Sequence, residues 1–446
     1  MIKKVLIANR GEIAVRIIRA CRNMGIRSVA IYSVEDQDSL HVKLADQRIC
    51  IGEGPVRNSY LNKESILTAA LNIGADAIHP GFGFLSENPE FARLCQEHGI
   101  KFIGPTAEVM ERMGDKSRAR QTMKLAGVPI VPGTDGTLHD VESAVEAVKQ
   151  IGYPVMIKAS AGGGGKGMRV AHHANEFEQL FNIAQRESIN AFGDDAMYLE
   201  RYIVNPKHVE IQIMADEHGN VTALGERDCS VQRNHQKLIE ESPSPAINAI
   251  TRQAMNEAAI LAAKTVGYTN AGTIEFILDS SGEFYFMEMN TRIQVEHGVT
   301  ELVTGLDLII EQIRVANGET LSFTQESIQL QGHAIECRIN AEIPEKNFMP
   351  NPGLVKHLHF PAGNGVRVDS ALYAGYRIPA DYDSMIAKIL VHAPTREAAI
   401  LKMRSALDEM VIIGVETNLD FQYQLLRHPL FVEGRADTGF IERMMS

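Results

Sequence analysis

The segment Glu288-Met-Asn-Thr-Arg-Ile-Gln-Val-Glu-His297 gathers carboxylates, amides, a guanidinium and an imidazole in one short stretch. Glu288 and Asn290 offer hard oxygens, and a third, Glu275, lies in the neighbouring run Gly272-Thr-Ile-Glu-Phe-Ile-Leu278. Two carboxylates and an amide oxygen suit Mg²⁺ or Mn²⁺ bridging nucleotide phosphates. Both glutamates sit in otherwise apolar runs, where an unpaired carboxylate is costly, and this weighs against glutamates that merely face water. Beyond them, Arg292 can clamp an oxyanion bidentately, Gln294 can orient it and Glu296 can take a proton from it. Such a cluster suits a small carboxylate or carbonate; the competing reading is a solvated loop.

A second chemistry-bearing stretch is Val155-Met-Ile-Lys-Ala-Ser-Ala-Gly-Gly-Gly-Gly-Lys-Gly-Met-Arg-Val170. Without Cβ atoms, its four consecutive glycines let the backbone approach oxygens closely and aim several N–H groups at them, while Lys158 and Lys166 add positive charge. A polyphosphate is the expected guest, against a plain hairpin tip. The pattern is neither a Walker loop, which fails at Gly167, nor a dinucleotide fingerprint, because no helix opens after it. Strands on both sides predict a flap.

These residues need elements to hold them. From Lys4 to Ile103 the apolar runs at 5–8, 29–32, 48–51 and 77–78 alternate with helical patterns at 12–24, 63–73 and 88–98, the rhythm of a parallel sheet with crossover helices. Gly104-Pro105 ends that lobe, and Thr106 and Asp115 are capping residues for the next helices. An α+β lobe with a small insert follows, with a long helix near Thr251–Val266. In it the runs 272–278 and 283–290 form a hairpin around Asp279-Ser-Ser-Gly282, which lets Glu275 face Glu288 with Asn290 beside them. After Gly305 a third lobe mixes strands such as 385–392 with helices near 395–407 and 418–427.

A chain of 446 residues exceeds one hydrophobic core, so two or three lobes are expected, with a site between them. A net charge of −12 argues against a nucleic-acid surface, so bound phosphate must be held locally. No run approaches membrane-spanning length, and the apolar start before Asn9-Arg10 is too short for a secretory signal and reads as a first strand. Five scattered cysteines without a CxxC fit reduced thiols and a cytoplasmic setting. Cys229 has no evident base paired with it, and His79 and His333 lack a second ligand at metal spacing, so all three read as packing or hydrogen-bonding residues.

Lys116, Lys158 with the glycine flap, Glu200-Arg-Tyr-Ile203, Glu275 and Glu288-x-Asn290 resemble the ATP-grasp superfamily. Longer motifs narrow this: Ile7-Ala-Asn-Arg-Gly-Glu-Ile-Ala14, His79-Pro-Gly-Phe-Gly-Phe-Leu-Ser-Glu-Asn88, His208-Val-Glu-Ile-Gln212, Glu226-Arg-Asp-Cys-Ser-Val-Gln232, His235-Gln-Lys237, Glu288 to His297, and Glu336-Cys-Arg-Ile-Asn-Ala-Glu342. Together they resemble the biotin carboxylase family over essentially the whole chain. The resemblance implies an α/β and α+β ATP-grasp fold. Its parts are a Rossmann-like βαβ domain over 1–114, an ATP-grasp domain over 115–330 with a flap at about 131–203, and a C-terminal domain over 331–446.

It also implies the reaction, in which ATP and bicarbonate form carboxyphosphate and N1′ of biotin is carboxylated. Lys116, Lys158, Gly163, Gly164, Gly165, Met168, Glu200, Arg201, Ile203, His208, Gln232, His235 and Ile277 would surround ATP, and Glu275, Glu288 and Asn290 the metal. Bicarbonate would meet Lys237, Arg292, Gln294, the Val295 backbone and the base Glu296; biotin would meet Phe82, Gly83 and Arg338. The chain shows no Met-Lys-Met turn, so biotin is expected on a separate carrier protein, with carboxyltransferase subunits completing the assembly and a homodimer implied by family. An acetyl-CoA carboxylase feeding fatty acid synthesis is the first expectation; another acyl-CoA, pyruvate or urea carboxylase is the second.

Three positions depart from the family pattern. Phe82 replaces Tyr and loses a hydroxyl near biotin, Gly298 replaces Pro and is expected to loosen the backbone after Glu296, and Ile343 replaces Asp. Two rival readings stay open: an ATP-grasp ligase that delivers another carboxylate to an amine, and a catalytically silent ATP-binding regulator.

Overall fold

The computed structural model describes residues 1–160 and 167–445. The first apolar runs form parallel strands β1 (Lys4–Ile7), β2 (Arg27–Ser33), β3 (Gln47–Gly52), β4 (Ala77–His79) and β5 (Lys101–Phe102), in the order β3-β2-β1-β4-β5. Val5, Leu6 and Ile7 are fully buried, as a central parallel strand covered on both faces requires. Helix α1 (Gly11–Asn23) buries Ile13, Ile17 and Cys21 along one side. Asn62 caps α2 (Lys63–Ile73) and Asn88 caps α3 (Pro89–Glu97), each accepting a main-chain N–H of the first turn. The two capping residues expected next do the same: Thr106 accepts from Val109 at the start of α4 (Ala107–Gly114), and Asp115 from Arg118 at the start of α5 (Lys116–Ala126).

A small insert follows. It contains α6 (Val141–Ile151), β6 (Val155–Ala159), β7 (Met168–Ala171), α7 (Ala174–Phe192) and β8 (Met197–Arg201), with strand order β7-β6-β8. Strands β6 and β7 are antiparallel, Lys158 opposite Met168, so the glycine-rich stretch joins two paired strands as expected for a flap. The expected phosphate contacts Gly163, Gly164 and Gly165 lie outside the described residues.

The large sheet is antiparallel and eight-stranded. Its central-lobe strands are β9 (Lys207–Ala215), β10 (Val221–Arg233), β11 (Gln236–Ser242), β12 (Asn270–Leu278) and β13 (Phe284–Asn290), with α8 (Ala249–Val266) packed on one face. Helices α9 (His297–Thr304) and α10 (Leu308–Ala316) lead on to β14 (His333–Asn340), β15 (Val366–Ser370) and β16 (Met385–Ala393). The order β13-β12-β9-β10-β11-β14-β16-β15 carries one sheet from the central lobe into the C-terminal one. A second core, with α11 (Arg396–Glu409) and α12 (Leu419–Arg427), closes over its far end.

Candidate active site

Period two along the strands decides which side chains reach the site. On β9, Val209, Ile211 and Ile213 enter the core beneath α8, so His208, Glu210 and Gln212 take the other face. On β14 and β16, Ile335, Cys337, Ile339, Ala387, Ile389 and Val391 enter the C-terminal core, and Glu336, Arg338, Lys388 and Leu390 face away from it. Charged rows from several strands therefore meet below the segment 291–297.

At their centre Lys237 Nζ donates to Glu210 at 2.7 Å, Glu275 at 3.1 Å and Glu296 at 2.6 Å. Arg338 donates through Nη2 to the second oxygen of Glu296 at 2.9 Å and through Nε to Glu240 at 2.6 Å. The wholly buried Arg227 ties the floor together, with bonds to Glu210 and Gln212 on β9, Thr273 on β12, Thr300 on α9 and Gln294. Gln294 in turn donates to Glu275 at 2.8 Å.

The electrostatics follow from this packing. Burial alone would push the Glu296 carboxyl up, but Lys237, Arg338 and Arg227 together hold it well below the usual carboxylate range. Glu275 is likewise held down, against burial, by Lys237 and His208. Burial works against the Lys237 ammonium too, yet Glu210, Glu275 and Glu296 keep it well above its ordinary value. Cys229 has the opposite fate: burial, reinforced by Glu210, drives its thiol well up, which leaves it no nucleophile. His333 donates to Glu241 at 2.8 Å, and buried His79 accepts the Gly81 N–H at 3.1 Å.

The expected metal residues come together. Glu275 and Glu288 are direct cross-strand partners beside an irregularity in the β12–β13 register. Asn290 donates to Glu275 at 2.7 Å while its oxygen accepts from Arg292 at 3.0 Å. Glu288 lies 3.1 Å from the exposed Lys116 Nζ. This set of hard oxygens, with Glu288 paired to an exposed ammonium, fits a magnesium ion.

On the flap side, Glu200 pairs with both Lys158 and Arg120. Ile203 packs with Val131 and Tyr285 in a small apolar cluster against which Ile277 rests, a wall with the character a flat heterocycle needs. Arg201 reaches the Tyr285 hydroxyl at 3.4 Å. Gln232 is buried near the end of β10, and the two-residue turn to β11, Asn234-His235, has positive φ at both positions (49° and 64°). That geometry belongs to a tight hairpin, and asparagine and histidine are among the non-glycine residues that adopt it most readily. Met168 is half-buried at the start of β7.

Phe82, Gly83, Lys237, Val295 and Arg338 line one cavity of about 410 Å³ together with Asn9 and Arg10. Asn9 Nδ2 donates to the carbonyls of Pro80 and Phe82 at 2.7 Å each, and a Cβ on Gly81 would come within 3.0 Å of that nitrogen. The loop carrying Phe82 is thus fixed by its backbone, and the ring rests partly buried against the first lobe's core.

Sequence reasoning carried Glu87, Glu210 and Arg227 only as letters of longer motifs, with no role, and passed over Glu240. Glu87, from the first lobe, accepts from Arg292 Nε at 2.8 Å and from the Thr291 N–H at 3.0 Å. The signal was present as three consecutive charged residues, Glu226-Arg-Asp228, in a strand buried along most of its length. The expectation for Gly298 is corrected. Gly298 is buried in the first turn of α9, where an added Cβ would stand 2.3 Å from Leu390 Cδ2. Close packing against Leu390 fills the space, and both oxygens of Glu296 are held, so the base is not loosened. Ile343, half-buried beside a short bridge to Met349, lies away from these contacts.

Comparison with known proteins agrees with this geometry. Residues 1–110 match the model "Biotin carboxylase, N-terminal domain", 115–324 "Carbamoyl-phosphate synthase L chain, ATP binding domain" and 336–443 "Biotin carboxylase C-terminal domain". Biotin carboxylase 1 of Bacillus subtilis is 58% identical over 443 residues, covering 99% of this chain and 98% of the other. A pyruvate carboxylase subunit of Methanothermobacter thermautotrophicus is 51% identical, covering 99% and 90%. A solved structure of the 2-oxoglutarate carboxylase biotin carboxylase domain dimer from Hydrogenobacter thermophilus, in complex with MgADP, ADP and bicarbonate, superposes with a TM-score of 0.92. It has 50% identity and covers 100% of this chain and 98% of that one.

Proposed function

The chain belongs to the biotin carboxylase family, and from that premise we propose that it carboxylates biotin on a separate carrier protein, as the first half-reaction of an acetyl-CoA carboxylase. It is a ligase that uses ATP, a divalent metal and bicarbonate, with carrier-bound biotin as the acceptor. The observation that carries the mechanistic reading is the seating of one ionised carboxylate, Glu296, between two cations, Lys237 and Arg338, that themselves line the cavity.

Glu275, Glu288 and Asn290 would hold Mg²⁺, which would supply positive charge to offset that of the ATP phosphates. Lys116, Lys158 and the amides of Gly163 to Gly165 would hold the phosphates, with His208, Gln232, His235, Met168 and Ile277 around the nucleotide and the strand carrying Glu200, Arg201 and Ile203 against adenine. Bicarbonate would rest on Lys237, Arg292, Gln294 and the Val295 N–H. Glu296 takes its proton as a bicarbonate oxygen attacks the γ-phosphorus and ADP leaves. The carboxyphosphate so formed breaks to CO₂ and phosphate; the phosphate removes the N1′ proton of biotin, and N1′ attacks CO₂. Arg338 offsets the negative charge that develops on the ureido oxygen, beside Phe82 and Gly83.

The geometry adds a condition. With both oxygens bonded to cations, Glu296 is ionised but a poor proton acceptor. It becomes a useful base only as the arriving anion draws Lys237 or Arg338 away, which couples proton removal to occupancy of the site.

We place the protein in the cytoplasm as a homodimer serving carrier and carboxyltransferase subunits. Five free cysteines support this, as does the dimeric state of the Hydrogenobacter domain, and no described helix is long and apolar enough to cross a membrane. The test separates it from other ligases of this fold: biotin stimulates bicarbonate-dependent ATP hydrolysis and simple amines do not. Stimulation by an amine in place of biotin overturns the reading.

A further inference from the structure

Val295 sits between two peptide planes, and each is held by a buried side chain to which the reaction steps give no role. The carbonyl of Gln294 meets His297 Nδ1 at 2.8 Å; a carbonyl only accepts, so Nδ1 carries the proton. The carbonyl of Val295 accepts from Lys388 Nζ at 2.6 Å. A trans peptide turns its N–H opposite to its carbonyl, so fixing the Gln294 oxygen toward His297 fixes the Val295 N–H on the other side. That N–H meets no acceptor among the described residues, and Val295 lines the cavity with Lys237 and Arg338.

We propose that Lys388 and His297 are positioning residues for the bicarbonate step, clamping the peptides on either side of Val295 so that its N–H is aimed at the anion before the anion arrives. The inference rests on the reading of Val295 as a bicarbonate contact. Both groups are built for constancy. His297 is wholly buried, and burial pushes it down to about 3, so it stays neutral with its proton on Nδ1. Lys388 is equally buried; desolvation opposes its charge, but Glu12, Glu336 and Asp369 hold the ammonium above its ordinary value. Glu12 Oε1 lies 3.3 Å from Lys388 Nζ, while neither carboxylate oxygen of Glu12 or Glu336 has a well-directed donor among the described residues. Glu12, from the first lobe, thus sits against that ammonium, and Lys388 makes its short hydrogen bond to the Val295 carbonyl. The clamp joins α1 of the first lobe, β16 of the third and the active segment of the second.

The test is steady-state ATP hydrolysis by the full chain with free biotin, varying bicarbonate and ATP separately, for Lys388→Met and His297→Phe. The proposal expects the bicarbonate KM to rise roughly tenfold or more, the worth of one hydrogen bond to a charged group, with the ATP KM within about twofold of wild type. Should Lys388→Met not fold, Lys388→Met/Glu12→Gln removes cation and anion together and is read the same way. An unchanged bicarbonate KM in folded variants, whatever happens to their stability, overturns the proposal. Wild type that hydrolyses ATP without regard to bicarbonate overturns the reading beneath it, and the proposal with it.

Discussion

At the residue scale, the candidate site was legible wherever a polar type broke an apolar pattern. Glu275 and Glu288 stood out because each interrupts a hydrophobic strand, and they prove to be cross-strand partners. Glu87 and Lys388 did not, because their partners lie far along the chain and nothing local marks the pairing. Arg227 shows what such a residue carries. Lysine at 227 could not match the guanidinium's reach to five acceptors, so Arg227→Lys should leave buried Glu210 and Gln294 underbonded. We expect a loss of about 2–4 kcal/mol of unfolding free energy in urea titration. Gly298 makes an opposite prediction about space. Gly298→Ala should destabilise by about 1–3 kcal/mol through its clash with Leu390, and Gly298→Ala/Leu390→Val should recover part of that loss.

At the element scale, caps and turns were readable because their chemistry is local. Thr106 and Asp115 each accept the N–H three residues on, and the Asp279–Gly282 turn closes the hairpin it was expected to close, with the Asp279 carboxylate accepting the Ser281 N–H at 2.8 Å. What local patterns could not give was the order of the eight-stranded sheet, which depends on long-range pairing such as β11 with β14. Asp115 links an element to function because the helix it caps begins with Lys116. Asp115→Ala should cost about 1 kcal/mol of stability. It should also raise the ATP KM several-fold with little change in bicarbonate KM, as measured by initial rates.

At the scale of the whole molecule, burial of histidines sets the response to acid. His41 is pushed down to about 4, and His79 and His297 to about 3, in each case chiefly by burial. Below about pH 6.5 the unfolded chain protonates these histidines and the folded one refuses, so their contribution to stability falls as pH falls. The slope is roughly 1.4 kcal/mol per pH unit for each histidine until the folded values are reached. Asp36 and Glu301, both lowered to about 2 against burial, the first chiefly by Arg10 and the second by Arg16, add a further loss below about pH 4. Glu240, raised to about 7 by burial, and Glu336, raised well above its ordinary value by burial, oppose that slope, because there the folded chain keeps protons the unfolded one has shed. Urea unfolding of His41→Phe against wild type between pH 4.5 and 6.5 isolates one histidine's share, a difference in slope of about 1.4 kcal/mol per pH unit, and parallel profiles would contradict it. The lobes themselves were legible from the alternation of apolar runs, whereas their union at one site was not, since it depends on contacts such as Glu87 with Arg292. The central claim, that Glu296 is the base of a biotin carboxylation reaction, is tested most directly by the transfer of labelled bicarbonate to a purified biotinylated carrier from the same cell. Wild type should label the carrier, and Glu296→Ala should lose that activity while still binding ATP; labelling by Glu296→Ala at the wild-type rate would contradict the account.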